Sequence, residues 1–184
     1  MNKKLFLKIF VGFLIFSALI GIYIFAIGDF DELEMMALVS TASGGFFSLM
    51  GLVAAAYYEK NKTSFLGKAG VVASVTAFIL SLFLFWEWID PDYVYKIAFI
   101  SFVVAPSIAH ACLLFFIDTD HPTTILVRKG TIGLILLTSF FLIGGIMIEF
   151  DWDSIFWRLI GIVGILNVLG TIATPIMHKI VKPQ

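Results

Sequence analysis

The sequence predicts an all-α integral membrane protein of six transmembrane helices, arranged as three tandem helical hairpins in a pseudo-threefold bundle with both termini cytoplasmic. Three observations carry this prediction. First, 60 % of the 184 residues are hydrophobic and 14 % charged, against about 45–50 % and about 25 % in a soluble domain. With a mean hydropathy of +1.04, such a chain would expose more apolar surface than water tolerates. Second, the apolar residues fall into six runs of membrane-crossing length. Third, the sequence matches itself twice at an ungapped offset of 61 residues.

The runs cover residues 5–27, 33–58, 66–88, 94–117, 125–148 and 155–177, each close to the roughly 20 residues that cross a hydrocarbon core of about 30 Å. Backbone polar groups in lipid must be satisfied within the segment, and long runs without alternation suit helices rather than barrel strands. The first run follows Lys3 and Lys4 and contains Lys8; Lys60, Lys62 and Lys68 mark the junction of the second and third, Lys68 in the opening turn of the third, Arg128 and Lys129 the junction of the fourth and fifth, in the opening turn of the fifth, and Lys179 and Lys182 follow the sixth. The opposite face carries Lys96 and Arg158, and it collects ten acidic residues, among them Glu34, Glu87 and Glu149. The positive-inside rule therefore places both ends in the cytoplasm. Trp86, Trp88, Trp152 and Trp157 fall at the outer ends of spans, the headgroup level that the indole prefers. The basic start before an apolar run imitates a secretory signal peptide; the internal repeat argues that it is retained.

The repeats are residues 1–61, 62–122 and 123–184. Asp29, Asp90 and Asp151 align, as do Asp31, Asp92 and Asp153, so that Asp-x-Asp recurs at the outer turn of every hairpin. Leu5 with Leu66, Ser40 with Ser101 and Lys68 with Lys129 keep the same register. Repeats of equal topology are related by an axis along the membrane normal. The second helix of each hairpin is rich in small residues, such as Ser40, Gly44, Ser48, then Ser101, Ala105, Ala109, then Gly161, Gly164, Gly170. Such residues let helix backbones approach, so the even-numbered helices are expected inside. Phenylalanines such as Phe10, Phe13, Phe16, Phe78 and Phe140 on the odd-numbered helices are expected to face lipid.

Two constellations are candidate sites. The six aspartates of the outer turns are oxygen ligands suited to a hard cation, or to concentrating cations before a pore. Their structural role is helix capping, with Asp31, Asp92 and Asp153 at N-cap positions. Lys96 and Arg158 are expected to pair with carboxylates such as Asp92 or Glu149, which would partly neutralise that mouth. The second constellation is intramembrane. His110 is the titratable group deep in a span, and the repeat aligns it with Thr171 and aligns Pro106 with Asn167, so Ser107, His110, Asn167 and Thr171 are expected at similar depth as a substrate-binding polar layer. Its plainer role is interhelical hydrogen bonding, worth about 0.6 kcal/mol per bond. Pro106 and Pro175 free backbone carbonyls, and such breaks often line transport sites.

The remaining chemistry is narrow. The single cysteine, Cys112, excludes an intrachain disulfide and a cysteine-based zinc or iron–sulfur site. Catalytic motifs and a glycine-rich phosphate loop are absent, and no cofactor is expected. His110 and His178 stand about 10 Å apart in depth, which disfavours haem. No loop exceeds about a dozen residues, too few for a soluble core, and the near-neutral charge excludes a nucleic-acid partner. The expected partners are the lipid bilayer and a second membrane protein. The expected function is a transporter or channel for a small solute or cation, ranked just above a non-catalytic structural or accessory subunit and well above a membrane-embedded lipid enzyme. The expected location is a plasma membrane, with the compact loops suggesting a bacterial inner membrane.

Overall fold

The computed structural model describes residues 3–86, 91–119, 121–147 and 154–181. They form α1 (Lys3–Ile27), α2 (Glu32–Lys60), α3 (Phe65–Phe85), α4 (Pro91–Phe115), α5 (Pro122–Met147) and α6 (Ser154–Val181). All six are long and apolar enough to cross a membrane. Even α3, with 21 residues, reaches about 31 Å at 1.5 Å per residue, matching a hydrocarbon core of about 30 Å.

Local chemistry sets the helix ends. Asp31, in extended conformation at φ −68° and ψ 168°, accepts a hydrogen bond from Glu34 N at 2.8 Å. The Glu34 carboxylate reaches back to accept from Phe30 N at 3.0 Å. This is a variant of the capping box, satisfying amides that the first helical turn leaves orphaned. Phe30 takes the left-handed conformation at φ +56°. Gly28 lies beneath the Glu34 carboxylate so closely that a Cβ there would stand 2.7 Å from its oxygen. Ser64 caps α3 by accepting from Gly67 N. Proline opens α4 and α5, where its missing N–H costs no intrahelical bond and its φ is already helical.

Some spans differ from the helices that contain them. α3 stops at Phe85, and Trp86 caps it, whereas the apolar run continues to residue 88. α6 runs on through Pro175 to Val181, four residues beyond the apolar run. Apolar length measures the hydrocarbon crossed, not the helix wound, so the two need not coincide.

The chain divides into two compact units, Met1–Ala109 and His110–Gln184. In the first, α1 and α3 each pack along α2. α2 is the most buried helix, in keeping with its small residues, but in the second unit α6 is less buried than α5 and a Cβ at Gly161 or Gly164 would meet nothing, so small residues do not mark an inner helix there. Phe47 lies in a core with Ala77 and Ala105, bordered by Ala73 and Phe78, and meets Phe102 of α4 edge-on at 5.1 Å. A polar bond ties α2 to the end of α3: the Trp86 indole N–H donates to Ser40 Oγ at 3.1 Å, and nearby the Ser81 and Ser43 hydroxyls stand 3.4 Å apart, each turned to a carbonyl of its own helix.

Two of the phenylalanines expected to face lipid do not. The Phe13 ring lies over Gly44 and meets Phe78 edge-on at 5.4 Å, both partly buried. A glycine leaves a hollow on the helix surface, and an aromatic ring fills it. Phe16 and Phe140 remain exposed. In the second unit α5 and α6 pack along each other. Thr131 lies against Gly170, and Phe141 meets Phe156 edge-on at 6.0 Å.

Candidate functional site

The intramembrane site is built on the last turns of α4 and the middle of α6, both within the second unit. Thr171 is half-buried, and its hydroxyl donates to Asn167 O one turn earlier at 2.8 Å. That bond uses the only proton the hydroxyl has. His110 Nε2 stands 2.6 Å from the same oxygen; with the Thr171 proton on Asn167 O, the imidazole donates from Nε2 and Nδ1 is an acceptor. Asn167 completes the group: its side-chain Oδ1 is shielded from solvent and has no hydrogen-bond partner. Two acceptors thus stand within one helical turn of a hydrogen-bonded pair.

Close packing of α5 and α6 holds Thr171 in place. Gly170, its neighbour, is in contact with Thr131 on α5. Thr131 and Thr174 are buried, with hydroxyls turned to Val127 O at 2.9 Å and Gly170 O at 2.7 Å. Such back-bonding satisfies a hydroxyl within its own helix and leaves the methyl groups to pack. Thr131 is not among the residues expected in the polar layer, although its signal is in the sequence: Thr124, Thr131 and Thr138 recur every seven residues, which places them on one face of α5.

Of the four residues expected in the polar layer, His110 and Thr171 are bonded to each other, and Asn167 stands one turn before Thr171 on α6, linked to it through its backbone carbonyl. Ser107 belongs to the first unit, and its hydroxyl donates to Val103 O of its own helix at 2.7 Å. A second polar group lies at the start of α5. Arg128 donates to Ile117 O at 2.9 Å and lies 5.4 Å from the centre of the Phe115 ring. It thereby serves the carbonyl end of α4, where a cation is favoured. Thr124 Oγ1 and Arg128 Nε are buried there without partners.

At the outer turns, Asp31 caps α2 as described and Asp29 is exposed. Asp90, Asp151 and Asp153 lie outside the described residues, as does Glu149; α4 begins at Pro91, so Asp92 is the second residue of the helix and not at the N-cap expected of it. Among the described residues no three His, Cys, Asp or Glu side chains converge in a way that could hold a metal ion. Cys112 is a free, buried thiol. Compared with known protein families, curated proteins and solved structures, the chain has no match.

Proposed function

We propose that this six-helix membrane protein is a transporter or channel for a small cation or hydrogen-bond-donating solute, bound within the membrane at His110, Asn167 and Thr171. The observation that carries the proposal is the unpartnered Asn167 Oδ1, one helical turn before the Thr171 that His110 bonds. A buried carbonyl oxygen without a donor costs about 1–3 kcal/mol, and an ionisable side chain within a span is costly unless it is paired or used. A cation or donor entering the site would relieve the first and use the second. Two acceptors, His110 Nδ1 and Asn167 Oδ1, favour such a ligand over an anion.

The finer architecture belongs to the same proposal. His110 and Thr171 are 61 residues apart, the offset at which the Asp-x-Asp turns recur. Helices of equal orientation in a repeat bring equivalent residues to equal depth, so this bond supports three hairpins about a pseudo-threefold axis. The lysine asymmetry supports cytoplasmic termini in a plasma membrane, with Asp29, Asp31, Asp90, Asp92, Asp151 and Asp153 forming an acidic outer mouth that gathers cations.

The test is flux into liposomes containing the purified full-length protein, with an internal pH dye for protons and tracer uptake for monovalent and divalent cations. The expected result is a flux above that of empty liposomes that falls about tenfold in Asn167→Leu, equivalent to about 1.4 kcal/mol of barrier, and also falls in His110→Leu. Liposomes as tight to all these ions as empty ones would overturn the proposal. If the protein also leaves its native membrane with a stoichiometric partner, the accessory-subunit reading takes its place.

A further inference from the structure

The first unit contains a feature that the transport site does not use. Between α3 and α4 lies a groove of about 510 Å³, with Phe65 and Lys68 at one end and Val72, Thr76, Ile100 and Val104 along it. Its walls are almost wholly apolar, and Lys68 is its one charged residue. From Phe65 to Thr76 the groove rises about 16 Å at 1.5 Å per residue, the depth of one leaflet of a hydrocarbon core about 30 Å thick. The charged end coincides with the start of α3, at the connection that also carries Lys62.

Lys68 is held over that end. Its Nζ stands 5.5 Å from the centre of the Tyr58 ring, a cation–π distance. Gly67 brings the first turn of α3 against the backbone of Tyr58: a Cβ there would lie 3.0 Å from Tyr58 Cα and N. The ammonium is therefore positioned by packing, with an apolar channel one leaflet deep leading away from it.

We propose that this groove is a binding site for one anionic phospholipid, its acyl chain lying along Val72, Thr76, Ile100 and Val104 and its phosphate meeting Lys68. Charge and length together select this occupant. A lysine at the headgroup level attracts anionic lipid, which is concentrated in the cytoplasmic leaflet, and the lysine-rich connection faces that leaflet in the orientation proposed above. The lipid site does not depend on transport, so a protein that carries no ion can still hold it.

The test is native mass spectrometry of the full-length protein in detergent, with phosphatidylglycerol and phosphatidylcholine of identical chains in competition and oleate in a parallel series. The expected result is one phosphatidylglycerol retained about fivefold over phosphatidylcholine, the factor that one lysine near an anionic headgroup supplies. Lys68→Glu should abolish that preference, and Ala69→Phe, which fills the groove, should lower retention of both lipids. Lys129→Glu, an equal charge change outside the first unit, should leave the preference intact. Circular dichroism and gel filtration establish that each variant is folded before it is scored. Equal retention of the two lipids by the unaltered protein would overturn the proposal, as would a preference lost equally in Lys129→Glu. Displacement of the phospholipid by equimolar oleate would overturn it in favour of a free fatty acid.

Discussion

Gly70 is a position where the packing of the first unit leaves no room for a side chain. A Cβ there would stand 2.7 Å from Ala54 Cβ and 3.0 Å from Ile108 Cγ2, whereas carbon atoms in contact sit at about 3.5–4.0 Å. Gly70→Ala is thus short of room by about 1 Å, and neither Cβ can rotate away, because each is fixed to its own backbone. α2 and α3 must separate. The Ser43–Ser81 contact at 3.4 Å would then open, and the Trp86–Ser40 bond at 3.1 Å would lengthen. Overpacking costs about 1–3 kcal/mol, and the rigidity of both partners puts this variant at about 2–3 kcal/mol. Two other buried glycines provide the scale. Gly44→Ala would meet the Phe13 ring at 2.5 Å, but that ring borders a cavity of about 200 Å³ and can swing into it, for a cost of about 1 kcal/mol. Gly45→Ala meets nothing closer than 3.9 Å and gains up to about 1 kcal/mol in helix propensity. Reversible unfolding in mixed detergent micelles, followed by circular dichroism, measures all three. The reasoning fails if Gly70→Ala is as stable as Gly45→Ala, or if Gly44→Ala is the most damaged.

A double-mutant cycle on His110→Leu and Thr171→Val should give a coupling energy of about 0.6 kcal/mol, and at most about 1.7; pairing His110→Leu with Thr174→Val should give none, since that hydroxyl bonds only Gly170 O. Zero coupling to Thr171 would mean that the 2.6 Å contact contributes nothing to stability. Cys112 is 0 % exposed, so a membrane-impermeant maleimide should leave the unaltered protein unlabelled in intact cells. Against that silent background, Asp29→Cys should label from outside and Lys62→Cys should label only after the membrane is opened. The reverse pattern would invert the proposed orientation.

The six spans were legible because hydrocarbon imposes both length and helical structure on any segment that crosses it. The cap at Asp31 was legible because a carboxylate before an apolar run has a defined use for its oxygens. The ends of α3 and α6 were not, since hydropathy fades at the headgroups whether or not the helix continues. The orientation of Phe13 escaped for a different reason. An aromatic ring in a span is equally suited to lipid and to a hollow on a neighbouring helix, and the choice lies with the partner, here Gly44. Composition read one helix at a time assigns Phe13 outward; Phe13 read against the glycines of α2 goes inward.

The His110–Thr171 contact was legible in its register, since the ungapped offset of 61 aligns the two residues. What the register leaves out is the direction of the protons. Thr171 has one proton; when it goes to Asn167 O, the imidazole is the donor and its other nitrogen an acceptor. The side chain of Asn167 could have been turned inward to close the set, yet its oxygen stands without a donor. A purely structural contact between helices has no use for such an oxygen, because Leu at position 167 would fill the space without leaving a buried carbonyl unpaired. In the proposed reading the missing donor is the passing ligand, and this is why Asn167→Leu divides the two roles: a gain in stability with loss of flux fits a binding site, whereas a loss of stability with unchanged flux fits a helix contact alone.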